Sequence, residues 1–495
     1  MDIQSYRIKR SLTQQQLADL LGVSNITVSK WENGQSKPSG KFIEKIKSMS
    51  IEERIEVIPF RPVQYLGSKL KLLRDIEDLA KALMQEGKFC DLFSGSGVVS
   101  NYMSHRYNVV SCDIQNYSTS LTSALVNKSP MTQGDLDQML KEVDKEFISL
   151  DNNILDLVDY EENLLSSTAE QNNSYLINFS NCASLYINKE NARQVEHKND
   201  LLEKLIGSVI NLKSLKDYQI FYLYGGVYFS YKQALHIDLL RKKAQSLDSE
   251  SDRNLIIACL LSAASDVVNT VGKQFAQPMK LVDRNGNIKK LQLKRTIQNK
   301  SYSIFDKLNI AFSKFKNAHN INDVEQHEII CSDVFDFLDN YNDKIGCFYA
   351  DPPYTIDHYS RFYHVLETIS LYDCPELSYM NKKGQREIMN GLYRIDRHQS
   401  EFCVPSQAKN AFDKLFSGCR KFGAPLILSY SPFDNDNNER SRLLTKNDLE
   451  KLAKKYYSKV TFIENNEHKH RKLHSTNKNK EVIKSSEIFI ICEIE

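Results

Sequence analysis

Residues 89–113 read FCDLFSGSGVVSNYMSHRYNVVSCD. Phe89-Cys90-Asp91-Leu92-Phe93 is a short apolar run, the pattern of a buried strand. Ser94-Gly95-Ser96-Gly97 follows as a glycine turn, then a helical stretch, then Val109-Val110-Ser111-Cys112-Asp113, a second strand ending in an acid. Strand, glycine turn, helix, strand and acid in that order open a doubly wound parallel sheet. The glycines let backbone approach a ligand closely. The turn lacks the third glycine of the dinucleotide fingerprint, so by itself it is a weak signal. Asp113 either meets ribose hydroxyls or is a solvent-facing acid at a strand end.

The reading extends outward from there. Residues 70–86 have the pattern of an amphipathic helix. Residues of roughly 120–325 are polar, rich in Asn, Lys, Ser and Tyr, and mainly helical in pattern. Strand-like segments then resume at Glu328–Cys331, Gly346–Ala350, Pro425–Tyr430, Lys459–Ile463 and Ile488–Glu493. A parallel sheet is interrupted by a large insertion.

Asp351-Pro352-Pro353-Tyr354 follows the strand Cys347-Phe348-Tyr349-Ala350, at the carboxyl end where open α/β sheets bind ligands. A ring-conjugated amino nitrogen is a poor nucleophile. A carboxylate and a backbone carbonyl that both accept its hydrogens pull it towards tetrahedral geometry and free the lone pair. Two prolines stiffen the loop and remove competing donors. Tyr354 offers a flat face for an extruded base. By chance the tetrapeptide falls in roughly one chain in a few hundred of this size, and the strand before it makes accident a poorer explanation still.

These residues carry a resemblance to the D12-class N6-adenine DNA methyltransferases, from about Pro62 to the C-terminus. Gln64-Tyr65-Leu66-Gly67-Ser68-Lys69 resembles that family's cofactor motif, and Phe93-Ser94-Gly95-Ser96-Gly97 its methionine-side loop. Asp113 matches the ribose acid. Ser332-Asp333-Val334-Phe335 resembles the element that holds the cofactor's adenine, and Ser429-Tyr430-Ser431 a later pocket strand. Ser94 and Val98 depart from the commonest residues of the glycine loop, and the recognition region is long. The resemblance implies a class I (Rossmann-like) α/β methyltransferase sheet with a large, mainly helical inserted domain. It implies S-adenosylmethionine bound by Tyr65, Lys69, Asp91, Phe93, Ser94, Gly95, Gly97, Asp113, Asp333, Val334, Phe335 and Asp351. Catalysis falls to Asp351, Pro352, Pro353 and Tyr354, acting without a metal on an adenine flipped from duplex DNA. N4-cytosine methylation poses the same chemical problem and is the near alternative; Asp rather than Ser at 351 favours adenine. RNA or glutamine methylation fits less well, because the related loops usually start with Asn.

The insertion reads as a target-recognition domain. Lys289-Lys290 and Lys294-Arg295, with Lys273 nearby, either meet phosphates or form a solvated loop. Tyr228-Phe229-Ser230-Tyr231 fits a core better than a base-stacking platform. Gly225 to Ser230, with Gln233 and Asp238, resembles a segment of restriction-associated adenine methyltransferases, with no role assignable from chemistry. His468-Lys469-His470-Arg471-Lys472 opens a basic segment that either touches DNA or is a solvated loop.

The first fifty residues are a second pattern. Thr13-Gln14-Gln15-Gln16 is a capping-box signal with Leu17, Leu20 and Leu21 following on one face. Gly22 breaks the helix, and Ser24 caps another that carries Val28 and Trp31 and stops at Asn33-Gly34. This closely resembles the Cro/C1-type helix-turn-helix, an all-α domain, in which Asn25, Ile26 and Lys30 face the major groove and Gln14 anchors a phosphate. Such domains usually dimerise on paired half-sites. Here the domain either represses an operator or adds DNA affinity, and regulation is the preferred expectation. A transcriptional regulator with an inactive methyltransferase body is the rival from another class; the intact Asp351-Pro352-Pro353-Tyr354 loop argues against it.

The expected division is a helix-turn-helix domain over 1–57, methyltransferase parts over 58–120 and 325–495, and the insertion over 121–324. The chain of 495 residues is 41% hydrophobic and 26% charged, with net charge +2, so a nucleic-acid surface must come from local clustering. Ten scattered cysteines without Cys-x-x-Cys spacing point to free thiols and no zinc site. The longest apolar run, Leu255–Ser265, is too short for a bilayer and reads as a core helix. With no signal-like N-terminus, the expectation is a cytoplasmic, nucleoid-associated bacterial protein whose partner is double-stranded DNA. A cognate restriction endonuclease encoded nearby is the further partner the resemblance suggests.

Overall fold

The computed structural model describes residues 3–4, 7, 14–21, 23–39 and 42 of a first compact unit spanning 1–58. In a second unit, spanning 59–495, it describes 59–167, 171–195, 199–319, 327–353, 359–382, 384–431, 443–464 and 487–494.

In the first unit, helices Gln14–Leu21 and Asn25–Glu32 pack through Leu17, Ala18, Leu21 and Val28, with Val23 and Trp31 against them. Ser24 caps the second helix as expected, its hydroxyl accepting from the Thr27 N–H at 3.3 Å. Gly34 ends it with φ of 71°. Thr13 and Gly22 lie outside the described residues.

In the second unit, β1 (Lys88–Leu92), β2 (Val109–Asp113), β3 (Glu328–Cys331), β4 (Ile345–Ala350), β7 (Leu426–Tyr430), β8 (Lys459–Glu464) and β9 (Ile488–Glu493) form one sheet, ordered β3-β2-β1-β4-β7-β9-β8. β9 runs antiparallel to both neighbours; the other pairings are parallel. β5 (Tyr379–Lys382) and β6 (Gln385–Ile388) make a separate antiparallel hairpin that the sequence pattern did not announce. Every strand segment read from the sequence is a strand, within a residue at either end. β1, β4 and β7 are apolar because helices cover both faces. Val334–Asn340, Ala408–Lys421 and Lys446–Ala453 bury one face, and Leu73–Leu83 with Val98–Ser104 the other.

Order reverses between β1 and β4, with β2 and β3 on one side and β7, β9 and β8 on the other. This is the switch point at which connecting loops diverge and leave a crevice.

The segment between β2 and β3 is mainly helical, as expected. Its centre is Glu250–Val267, buried almost throughout from Leu255 on. No helix among the described residues is long and apolar enough to cross a membrane. One continuous core joins these helices to Asn116–Val126 and Tyr359–Leu371, which flank the sheet. Tyr228, Phe229 and Tyr231 are fully buried in it. Ser230 and Gln233 form the capping box of helix Tyr231–Gln245. Asp238 accepts from the N–H groups of Ile220 and Phe221 and from the Tyr372 hydroxyl. The segment that chemistry left unassigned is therefore structural.

Candidate active site

Asp351 follows β4 directly, and Leu92, which ends β1, pairs in register with Ala350. The Asp351 N–H donates to the Leu92 carbonyl at 3.5 Å. The glycine loop and the Asp351-Pro352-Pro353 loop thus leave adjacent parallel strands side by side.

Between them lies a cleft enclosing about 1130 Å³, open solvent at its mouth included. Of the expected cofactor and catalytic residues, Tyr65, Lys69, Phe93, Asp113, Asp333, Val334, Phe335, Asp351, Pro352 and Pro353 line it. Asp91, Ser94 and Gly95 line a smaller adjoining recess, together with Tyr65, Lys69, Phe93 and Asp351. Gly97 lines neither: with φ of 74° it precedes helix Val98–Ser104, and a Cβ there would come within 2.6 Å of Thr122 Oγ1. Tyr354 and the basic segment from His468 lie outside the described residues.

The glycine loop is shaped by its surroundings. Phe93 is held left-handed with φ of 65°, a conformation costly for a bulky side chain and characteristic of functional loops. Gly95 has φ of 54° and lies under Tyr65, where a Cβ would meet the phenol oxygen at 2.7 Å. Asp113 braces the loop, accepting from the Gly95 N–H at 2.8 Å and the Gln115 N–H at 2.9 Å. Burial raises the Asp113 pKa, and these N–H groups oppose the rise. Asp333 caps helix Val334–Asn340 through the Phe335 N–H. The Tyr65 motif is anchored by helix Tyr359–Leu371. Tyr65 stacks on Tyr363 at 4.8 Å and 11°, and the Tyr363 hydroxyl takes the Leu66 N–H at 2.7 Å.

Lys69 is 5% exposed and joins two carboxylates: its Nζ lies 2.6 Å from Asp351 Oδ2 and 2.7 Å from Glu487 Oε1. Glu487, just ahead of β9, also accepts from Ser429 Oγ at 2.8 Å. Burial pushes the Asp351 pKa up to about 6; Lys69 pulls it down and Glu487 pushes it up. Asp91 is fully buried, bonded by Ser100 Oγ at 2.5 Å and raised to about 7, chiefly by burial. Three polar atoms of the smaller recess, Ser68 Oγ, Tyr349 Oη and Asp351 Oδ1, are buried without a hydrogen-bond partner among the described residues. Orphans of this kind are rare in native proteins and call for a ligand or another explanation.

Several cleft residues carried no sequence signal. Phe402 meets Phe93 edge-on at 5.3 Å and lies nearly parallel to Phe335 at 5.8 Å, completing an aromatic corner. It arrives on the segment His398–Cys403, which has neither periodicity nor motif. Glu487, which reaches the site through Lys69, carries a detectable signal, an acid directly before an apolar strand. Among the described residues there is no cluster of metal-binding side chains.

On the helix-turn-helix, Asn25, Ile26 and Lys30 are exposed, Ile26 to 68%. Gln14 donates its side-chain amide to Glu32 Oε2 at 2.8 Å, where Arg7 also binds.

The doubly wound sheet and its switch-point cleft define a Rossmann-like methyltransferase fold. The D12 class N6 adenine-specific DNA methyltransferase family matches residues 65–256 and 273–420, and the chain belongs to it. A helix-turn-helix family matches residues 3–46. Among characterised relatives, the modification methylase LlaI of Lactococcus lactis subsp. lactis is 24% identical over 72% of this chain and 44% of its own length. The type II methyltransferase M.FokI of Planomicrobium okeanokoites is 23% identical over 71% and 42%. The type II methyltransferase M.NlaIII of Neisseria lactamica is 22% identical over 71% and 79%. The chain thus spans less than half the length of the first two.

Proposed function

We propose that the protein transfers a methyl group from S-adenosylmethionine to N6 of an adenine flipped out of duplex DNA, as the modification arm of a restriction-modification system. The observation that carries this is Asp351 Oδ1: a buried carboxylate oxygen without a hydrogen-bond partner among the described residues, beside a glycine loop, at the sheet's switch point.

The residues present fit that cofactor. Phe93, Phe335 and Phe402 offer apolar faces for a purine. Asp113 stands at the strand end suited to a ribose. The unpartnered Ser68 and Tyr349 hydroxyls suit a polar amino-acid tail. When bound, S-adenosylmethionine supplies an electrophilic methyl on a sulfonium.

The chain's own part is to activate and hold the amine. Asp351 Oδ1 accepts one N6–H and the Pro352 carbonyl the other, moving the nitrogen lone pair out of ring conjugation. Asp351 must be ionised for this. Lys69 keeps it so by pairing with the other oxygen, Oδ2, and leaves Oδ1 for the base. Proline at 352 and 353 has no N–H to compete. Tyr354 stacks on the extruded base. The helix-turn-helix, through Asn25, Ile26 and Lys30 with Gln14 on the backbone, binds an operator and couples methylation capacity to expression.

Mass spectrometry of nucleosides from treated DNA tests the base: N6-methyladenine is expected, and N4-methylcytosine in its place overturns the assignment. Methylation-sensitive sequencing of DNA from cells with and without the gene then gives the site.

A further inference from the structure

Beside the cleft stand two arginines that the mechanism does not use. Arg361 follows Ser360 and Arg397 precedes His398, both of which line the cleft. The two guanidinium groups flank one aromatic ring: Arg361 Cζ is 5.7 Å and Arg397 Cζ 4.8 Å from the centre of Tyr393. Tyr393 is itself fixed, donating its hydroxyl to the Ala276 carbonyl and meeting His364 edge-on at 5.1 Å.

Neither arginine forms an ion pair with a described carboxylate. Asp396 favours the charged form of Arg397 from a distance, but it and Asp373 are both bound to Arg394, at 2.8 and 2.7 Å. Arg361 Nε and Arg397 Nε and Nη1 are buried with no hydrogen-bond partner among the described residues. Like charge faces like charge: the Arg397 pKa is lowered by burial and then by Arg361. Tyr393, Asp396 and Tyr224 favour the charged Arg397, while His364 is pushed down to about 3, largely by burial, and so stays neutral. Unpaired donors and uncompensated charge are expensive in a fold. A ligand with two negative oxygens removes both costs, and guanidinium forks match phosphate geometry.

We infer that Arg361 and Arg397, held on Tyr393, form a receptor for one DNA backbone phosphate flanking the adenine that enters the cleft. Adjacency to Ser360 and His398 puts the pair at the cleft wall, where the strand carrying an extruded base must pass. A phosphate gripped there fixes the register of the sugar-phosphate chain and so the depth to which the base reaches Asp351. The phosphate assignment rests on the reading of this cleft as a DNA methyltransferase site.

The test uses the full chain, wild type and the double variant R361Q/R397Q, in two arms. In the first, anisotropy of a labelled short duplex of arbitrary sequence is followed across a salt series. The double variant should bind more weakly, with the slope of log affinity against log salt shallower by about one. In the second, a duplex carrying the sequenced target site has each phosphate near the adenine replaced in turn by a neutral methylphosphonate. One replacement should weaken wild type by roughly 10- to 100-fold and cost the double variant nothing further. An unchanged salt slope, or a replacement that costs both proteins equally, overturns the inference. The methylphosphonate scan on wild type alone decides the matter if the variant does not fold, since a flat scan excludes the receptor. If the salt slope responds but no N6-methyladenine forms in any DNA, the adenine reading fails while the phosphate site stands.

Discussion

Lys69 Nζ sits 2.6 Å from Asp351 Oδ2, and the other Asp351 oxygen has no hydrogen-bond partner among the described residues. One oxygen holds a counter-charge and the other is left for a substrate amine. Replacing Asp351 with Ala removes the acceptor. Turnover should fall by at least 10²–10³-fold, the order seen when one transition-state hydrogen bond is lost. Affinity for S-adenosylmethionine, read by calorimetry, should change little.

The same pair sets a pH dependence. The carboxylate must be charged to accept from the base, so turnover should decline as pH falls through about 6, where burial places Asp351. Lys69→Met removes the charge that favours ionisation, raises the Asp351 pKa and moves the acid limb to higher pH by roughly 1–3 pH units. Glu487→Gln removes a repelling charge and moves the limb the other way. Complete pH profiles of the three proteins check both signs; a limb that stays in place in both variants removes Asp351 as its origin.

Gly97 separates stability from ligand binding. Its φ of 74° and a Cβ position 2.6 Å from Thr122 Oγ1 and 2.9 Å from Thr122 Cα leave no room for a side chain. Gly97→Ala should lower unfolding free energy by about 1–3 kcal/mol, measured by denaturant titration. The KM for S-adenosylmethionine should stay near wild type, because Gly97 lines neither recess.

Phe402 closes the aromatic corner with Phe93 and Phe335. Phe402→Leu keeps bulk but loses the flat face. The KM for S-adenosylmethionine should rise by about 10-fold, in line with loss of one aromatic contact, with KM for DNA nearly unchanged. Steady-state kinetics varying each substrate in turn separate the two.

Lys30 is exposed at the second helix of the helix-turn-helix. Lys30→Glu should abolish binding to DNA upstream of the gene, read by mobility shift, and leave turnover on saturating target DNA within about 2-fold, because a phosphate or groove contact in one unit acts on affinity and not on chemistry in the other.

Much of this molecule is local in origin. Alternation of apolar strand, glycine turn and acid from Phe89 to Asp113, and the proline pair after Ala350, fix φ and burial over a few residues. Those features are therefore readable without any contact. The capping of helix Asn25–Glu32 by Ser24 is local too. Other roles depend on side chains brought together from far along the chain. The sequence leaves Asp113 as either a ribose acid or a solvent-facing acid at a strand end; in the fold its carboxylate is partly buried and braces Gly95. The sequence leaves Lys273 as either a phosphate ligand or part of a solvated loop, yet its Nζ turns inward to the carbonyls of Asp266 and Val268.

By itself, then, the chain determined the seven strands of its main sheet, the glycine and proline loops beside the cleft and its helix-turn-helix, since backbone geometry and hydrophobic period act between near neighbours. Only the tertiary structure decided that Lys69 stands between Asp351 and Glu487, that Phe402 completes the cleft, and that Arg361 and Arg397 share Tyr393. The physical reason is that charge pairing, stacking and desolvation depend on distance in space, and residues more than 400 positions apart, such as Lys69 and Glu487, meet only when the sheet closes around them.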